Sequence, residues 1–123
     1  MFSRRAVPLA LFLLLAASCV ATRMAPSAPS APAGSPLPAC PSTPNCVCSE
    51  DPDPGHQIPP LAFEGAPAQA MARLRQVVLA MPRTTLVSES GTGFRVECRT
   101  RILRFVDDLE FRLDAAQGVI QVR

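Results

Sequence analysis

Thr84-Thr85-Leu86-Val87-Ser88-Glu89-Ser90-Gly91-Thr92-Gly93-Phe94-Arg95-Val96-Glu97-Cys98 alternates apolar and polar side chains around a glycine-bounded centre. A period of two marks a strand with one face buried. Thr85, Val87, Phe94, Val96 and Cys98 are expected on one face, alternating with Ser, Arg and Glu. Gly91-Thr92-Gly93 supplies a hairpin turn. Leu103 and Phe105 extend the same face as far as Asp107-Asp108. That pair reads as a turn, since aspartate side chains bond readily to nearby backbone. Leu109, Phe111 and Leu113 then alternate with Glu110 and Arg112, and Ala115 to Gly118 turns the chain into Val119 to Arg123.

Upstream of this meander the period changes to that of a helix. Met71, Leu74, Val77, Val78 and Met81 recur at helical spacing between Ala68 and Met81, leaving Arg73, Arg75 and Gln76 for solvent. Pro67 suits a first helical turn, Pro82 stops the helix, and Ala66 is a weak N-cap. The fold class expected is α+β: one helix packed on a small antiparallel sheet of three to four strands. A domain of roughly 60 residues buries only about 60% of its unfolded surface, so its core is thin.

Ahead of the domain the chain carries an address. Arg4 and Arg5 precede an apolar run from Ala6 to Ala17, the pattern of a secretory signal. The run is far shorter than the roughly 20 residues of a membrane-spanning helix. Leu15-Ala16-Ala17-Ser18-Cys19 resembles a bacterial lipobox, with Ala16 where leucine is usual. The sulfur of Cys19 would carry the diacylglycerol as a thioether; the alternative is an ordinary signal peptide cut near Ala17 or Ala21. Val20 to Ala39 is dominated by Ala, Pro and Ser, and reads as an extended disordered tether. Val20 is not the aspartate that commonly retains lipoproteins in the inner membrane, which points to the periplasmic face of the outer membrane. The expected organisation is a signal peptide at 1–18, a lipidated tether at 19–39, a Cys/Pro-rich loop at 40–62 and the α+β domain at 63–123. The expected partner is the membrane, through Cys19.

With Cys19 assigned to lipid, Cys40, Cys46, Cys48 and Cys98 remain, an even set in an oxidising compartment. Cys46 with Cys48 would be strained across one intervening residue. The preferred pairing is Cys40–Cys46 with Cys48–Cys98; Cys40–Cys98 stays open as the swap. A thiolate metal site that includes His56 competes, but the spacing lacks paired Cys-x-x-Cys knuckles. His56 reads as a solvated loop residue, and neither metal nor cofactor is expected.

The Cys40-Pro41-Ser42-Thr43-Pro44-Asn45-Cys46-Val47 stretch, Phe63, Arg101-Ile102-Leu103-Arg104-Phe105-Val106-Asp107-Asp108-Leu109-Glu110-Phe111 and Gly118-Val119-Ile120-Gln121-Val122-Arg123 together resemble the family called domain of unknown function 1499. The resemblance covers residues 40–123. It implies an exported or membrane-associated protein, often a lipoprotein, and carries over no activity. Cys48 stands where many relatives have serine. Relatives usually continue past the arginine matching Arg123, so a C-terminally truncated member is expected.

The charge balance argues against nucleic acid: without Arg4 and Arg5, ten basic residues face ten acidic ones, and no aromatic platform accompanies them. Asp107, Asp108 and Glu110 are the carboxylates that could hold a hard cation or act as acid and base. The plainer reading makes Asp107-Asp108 a turn and pairs Glu110 with arginines across the sheet, with Arg112 on its face and Arg101 nearby. Taken with the family resemblance, the ligand-binding candidates are Asn45, Asp107, Asp108, Glu110 and Arg123, and no catalytic residue is assigned. The leading expectation is a non-catalytic, lipid-anchored envelope module that binds a protein or small molecule. The alternative is an envelope enzyme or cation-dependent hydrolase using the three carboxylates.

Overall fold

The computed structural model describes residues 34–123. The leader, Cys19 and most of the expected tether lie outside the described residues. In chain order the elements are β1 (Leu61–Ala62), α1 (Pro67–Ala80), β2 (Thr84–Ser90), β3 (Gly93–Arg99), β4 (Val106–Asp114) and β5 (Val119–Val122). The strands form one antiparallel sheet in the order β1-β5-β4-β3-β2. The architecture is α+β as expected, with five strands rather than three to four. The additional strand is β1, whose Leu61 and Ala62 pair with Ile120 and Val119.

Helix α1 starts at Pro67 with no side-chain cap on Ala66 and ends one residue before Met81. Val78 is buried in the core, with Ala70, Met71, Leu74 and Leu79 packed around it. Val77 and Met81 are exposed, against expectation. Val77 lies about 100° around the helix from Val78, which turns it off the sheet. Opposite the helix stand Phe94, Val96, Phe111 and Ile120, all buried, with the Phe94 and Phe111 ring centroids 4.8 Å apart.

Three sequence readings are corrected along the meander. In β2 the inward residue is Leu86, opposite Val96, while Thr85 and Val87 are exposed. An irregularity between Leu86 and Ser88 then shifts the register. Leu103 and Phe105 do not continue a strand; they belong to an exposed loop between β3 and β4. Asp107-Asp108 is not a turn but part of β4, opposite Cys98 and Glu97. The true turn lies at Thr100–Phe105, closed by Thr100 N–H to the Phe105 carbonyl (2.9 Å) and Phe105 N–H to Thr100 Oγ1 (2.9 Å). At Gly93 a Cβ would collide with the carbonyl oxygen of Phe111, so only glycine lets β3 start this close to β4.

Cys40 and Cys46 form the expected disulfide, with Cα atoms 5.6 Å apart. Cys48 and Cys98 do not bond, which corrects the second pairing; both are free thiols. The two thiols have different surroundings. Cys98 packs on the helix-side core and touches Thr84 Oγ1 at 3.3 Å. Cys48 lies among the loop residues, near Glu50, Asp51 and Arg123.

Candidate functional site

The strand residues that alternate with the core have their own layer. Arg95 on β3, Asp108, Glu110, Arg112 and Asp114 on β4, and Gln121 and Arg123 at the C-terminus share the face turned away from α1. Arg95 and Gln121 are buried there despite their polarity. Buried charge needs a partner, and each cation on this face has one. Arg95 Nε is 3.7 Å from Asp108, Arg123 Nη1 is 3.2 Å from Glu110, and Arg112 Nη2 is 3.6 Å from Asp114.

The Cys/Pro-rich segment supplies the cover. Glu50 makes a two-pronged contact with Arg112, one prong at 3.1 Å from Nε, and also accepts the Leu37 N–H at 2.8 Å. That fork is the geometry a planar guanidinium favours. Glu50 accordingly holds the Arg112 pKa above its ordinary value. The next residue, Asp51, accepts the N–H groups of Cys40 at 2.6 Å and Asp53 at 2.9 Å. Those two donors push its carboxyl below the usual aspartate range. Consecutive carboxylates thus tie the chain at two points, one on each side of Pro38. Ser49 Oγ donates to Gln121 Oε1 at 2.7 Å and accepts the Val122 N–H at 2.8 Å. His56, expected to be solvated, is half-buried, and its Nδ1 donates to the Cys46 carbonyl at 2.8 Å. Beneath this layer, burial raises the Cys48 thiol pKa, which keeps the sulfur protonated at neutral pH.

A cleft of about 250 Å³ opens between Gly34, Ser35 and Leu37 and the sheet. Leu37, Ser90, Thr92, Arg95, Glu110 and Arg112 line it, so it combines hydroxyls with arginines already oriented by carboxylates. A second, shallower hollow of about 430 Å³ lies between β1 and α1, around Phe63, Ala70 and Leu74.

The candidates read from sequence scatter over this frame. Glu110 lines the cleft and binds Arg123, which stands beside it without lining the cleft. Asp108 is on the same face, engaged with Arg95. Asp107 alternates to the other face, opposite Cys98, so the three carboxylates do not converge. Among the described residues no group of three or more His, Cys, Asp or Glu side chains could hold a metal ion. Asn45 is exposed in the disulfide loop and does not line the cleft. Arg101 is exposed in the β3–β4 loop rather than near Glu110. Motif and spacing do not single out Glu50, Asp51, Arg95 or Gln121. Their signal is indirect: a strand face bearing Arg95, Glu110, Arg112 and Gln121 requires a charged cover, and Ser49-Glu50-Asp51 is such a cover.

The fold and this face define a small α+β domain whose sheet is closed on one side by a helix and on the other by a disulfide-bearing loop. The family described as protein of unknown function (DUF1499) matches residues 36–123, and the chain belongs to it. No curated protein and no solved structure matches the chain. Among the described residues no helix is long and apolar enough to cross a membrane.

Proposed function

We propose that the protein is a lipid-anchored envelope module that binds a small polar molecule in the cleft beneath residues 34–37, without transforming it. The supporting observation is that the charged groups of this face are engaged with one another. Arg112 is engaged by Glu50, Arg95 by Asp108, and Glu110 by Arg123. A carboxylate paired with an arginine has its oxygens committed to that partner rather than aimed at a bound molecule. The same pairing fixes the arginine forks in place, which suits recognition of hydroxyl and amide groups by preset donors. Cys19 supplies the anchor in this reading, with the lipobox-like run as its support and the outer membrane as its destination.

Two measurements test it. Cys19→Ala is expected to move the protein from the membrane fraction to the soluble one; unchanged fractionation removes the anchor. Amide shift mapping against a panel of sugars, amino acids and short peptides is expected to give changes clustered at Ser88–Arg95 and Glu110–Arg112. A panel that produces no such cluster removes the cleft as a binding site.

A further inference from the structure

The loop at the far end of β3 is the least water-compatible surface among the described residues. Ile102, Leu103 and Phe105 are 85, 70 and 61% exposed, and they are consecutive but for Arg104. Their exposure is imposed by a closed turn: Thr100 and Phe105 bond to each other twice, and Arg104 takes a positive φ of 55°. Arg101 and Arg104 interleave with the apolar residues and have no ion pair among the described residues. Arg83 joins them at the same end, since its Nε donates to the Arg99 carbonyl at 3.0 Å and its own carbonyl accepts the Arg99 N–H. Arg99 keeps Glu97 as a partner at 3.5 Å. Met81, also exposed, lies two residues before Arg83.

We propose that this tip inserts into the interface of an anionic lipid bilayer. Ile102, Leu103 and Phe105 stand 61–85% exposed with Arg101 beside them and Arg104 between them, which suits a fluid hydrocarbon boundary under anionic headgroups better than a fitted protein pocket. Apolar side chains enter the boundary while arginines, on long apolar stems, stay at the level of the headgroup phosphates. Cations close to an anionic leaflet add attraction that fades within a Debye length. A nucleic acid would leave Ile102, Leu103 and Phe105 facing phosphate. The inference stands on this loop alone and does not need an acyl group on Cys19. With the tip on the bilayer, the seven residues of β3 hold the cleft roughly 20 Å away from it.

The chain has neither Trp nor Tyr, so Phe105→Trp gives the full-length protein a single reporter at the tip. With vesicles of phosphatidylcholine and phosphatidylglycerol, its emission is expected to shift to the blue and to be quenched by brominated acyl chains. Leu61→Trp, on the opposite edge strand, is expected to show neither change, even when the leader or an acyl group holds the protein on the vesicle. Arg101→Gln and Arg104→Gln, each placed in the Phe105→Trp protein, are expected to lower vesicle affinity about 5-fold apiece, and high salt to do the same. Tryptophan at 105 that keeps its aqueous emission on vesicle-bound protein overturns the proposal. So does an equal shift on pure phosphatidylcholine, or a concentration-dependent shift without lipid, which would make the loop a contact between copies.

Discussion

On the helix side of the sheet, contact is apolar: Phe94, Val96, Phe111 and Ile120 meet α1 with little polar complication. On the other side the strands offer Arg95, Glu110, Arg112 and Gln121, and the cover is a loop fastened by Glu50, Asp51 and Ser49. The first kind of closure is non-directional and scales with area. The second depends on particular atoms, and loses its balance if one member is removed. A chain with a single helix can cover only one face that way, and this one closes the second with charge. The two closures should therefore fail differently.

The largest effect is expected on the helix side. Phe111→Ala removes a ring stacked on Phe94, and such core truncations cost about 3–5 kcal/mol. In a domain this small that is enough to abolish cooperative unfolding, as followed by circular dichroism in denaturant. On the loop side, Arg112→Ala leaves Glu50 without its cation in a place where both side chains are less than one-fifth exposed. Removing one partner of a fully buried pair costs about 3–5 kcal/mol, and the residual water here brings the expected loss to about 2 kcal/mol. The distinguishing sign is locality: protease should cut residues 34–50 faster in Arg112→Ala while the sheet stays intact. Loss of the whole fold at once would show that the two faces are one cooperative unit.

Acid should sharpen the contrast. The Asp51 carboxyl is held below its ordinary value by the N–H groups of Cys40 and Asp53. A depressed native pKa contributes stability that is complete above the unfolded value, near 4, and lost as pH falls through the native one. The loop is expected to loosen below about pH 4, seen as faster amide exchange at Cys40 and Asp53. Asp51→Ala should show the same exchange already at neutral pH. The smallest effect concerns the thiols. Alkylation in denaturant without reductant should label Cys48 and Cys98 and spare Cys40 and Cys46. In the native protein Cys48 should react slowly, because its sulfur is buried and protonated. A Cys48–Cys98 linkage found by peptide mapping would contradict their state as free thiols.

Much of the helix side is legible in the amino-acid order. Met71, Leu74 and Val78 announce the helix, and Phe94, Val96, Phe111 and Leu113 announce their strand faces, because hydrophobic burial leaves a period in the chain. What period cannot report is where alternation stops being a strand. Leu103 and Phe105 alternate like their neighbours, yet hydrogen bonding at Thr100 turns them outward into a loop. Strand β1 escapes notice because two residues carry no period; the open edge of β5 creates it. The candidate site is less legible still. Glu110 stands out, but its surroundings depend on Glu50 and Asp51, more than fifty residues away, and such pairing leaves no local mark. Cysteine counting fails for Cys48 and Cys98 for the same reason: parity says nothing about which neighbours the fold gives a thiol.

The register shift at Val87 has a consequence for how this molecule lives among copies of itself. A five-strand open sheet has two borders, and an evenly spaced border is a template onto which another chain can zip. Here the border strand β2 carries an additional residue midway, which breaks the even spacing of its outward N–H and C=O groups. The opposite border is taken up by Leu61, Ala62 and Ser49 against β5. The sheet is thereby left with poor purchase for edge-to-edge growth, and a single bulged position supplies much of that protection.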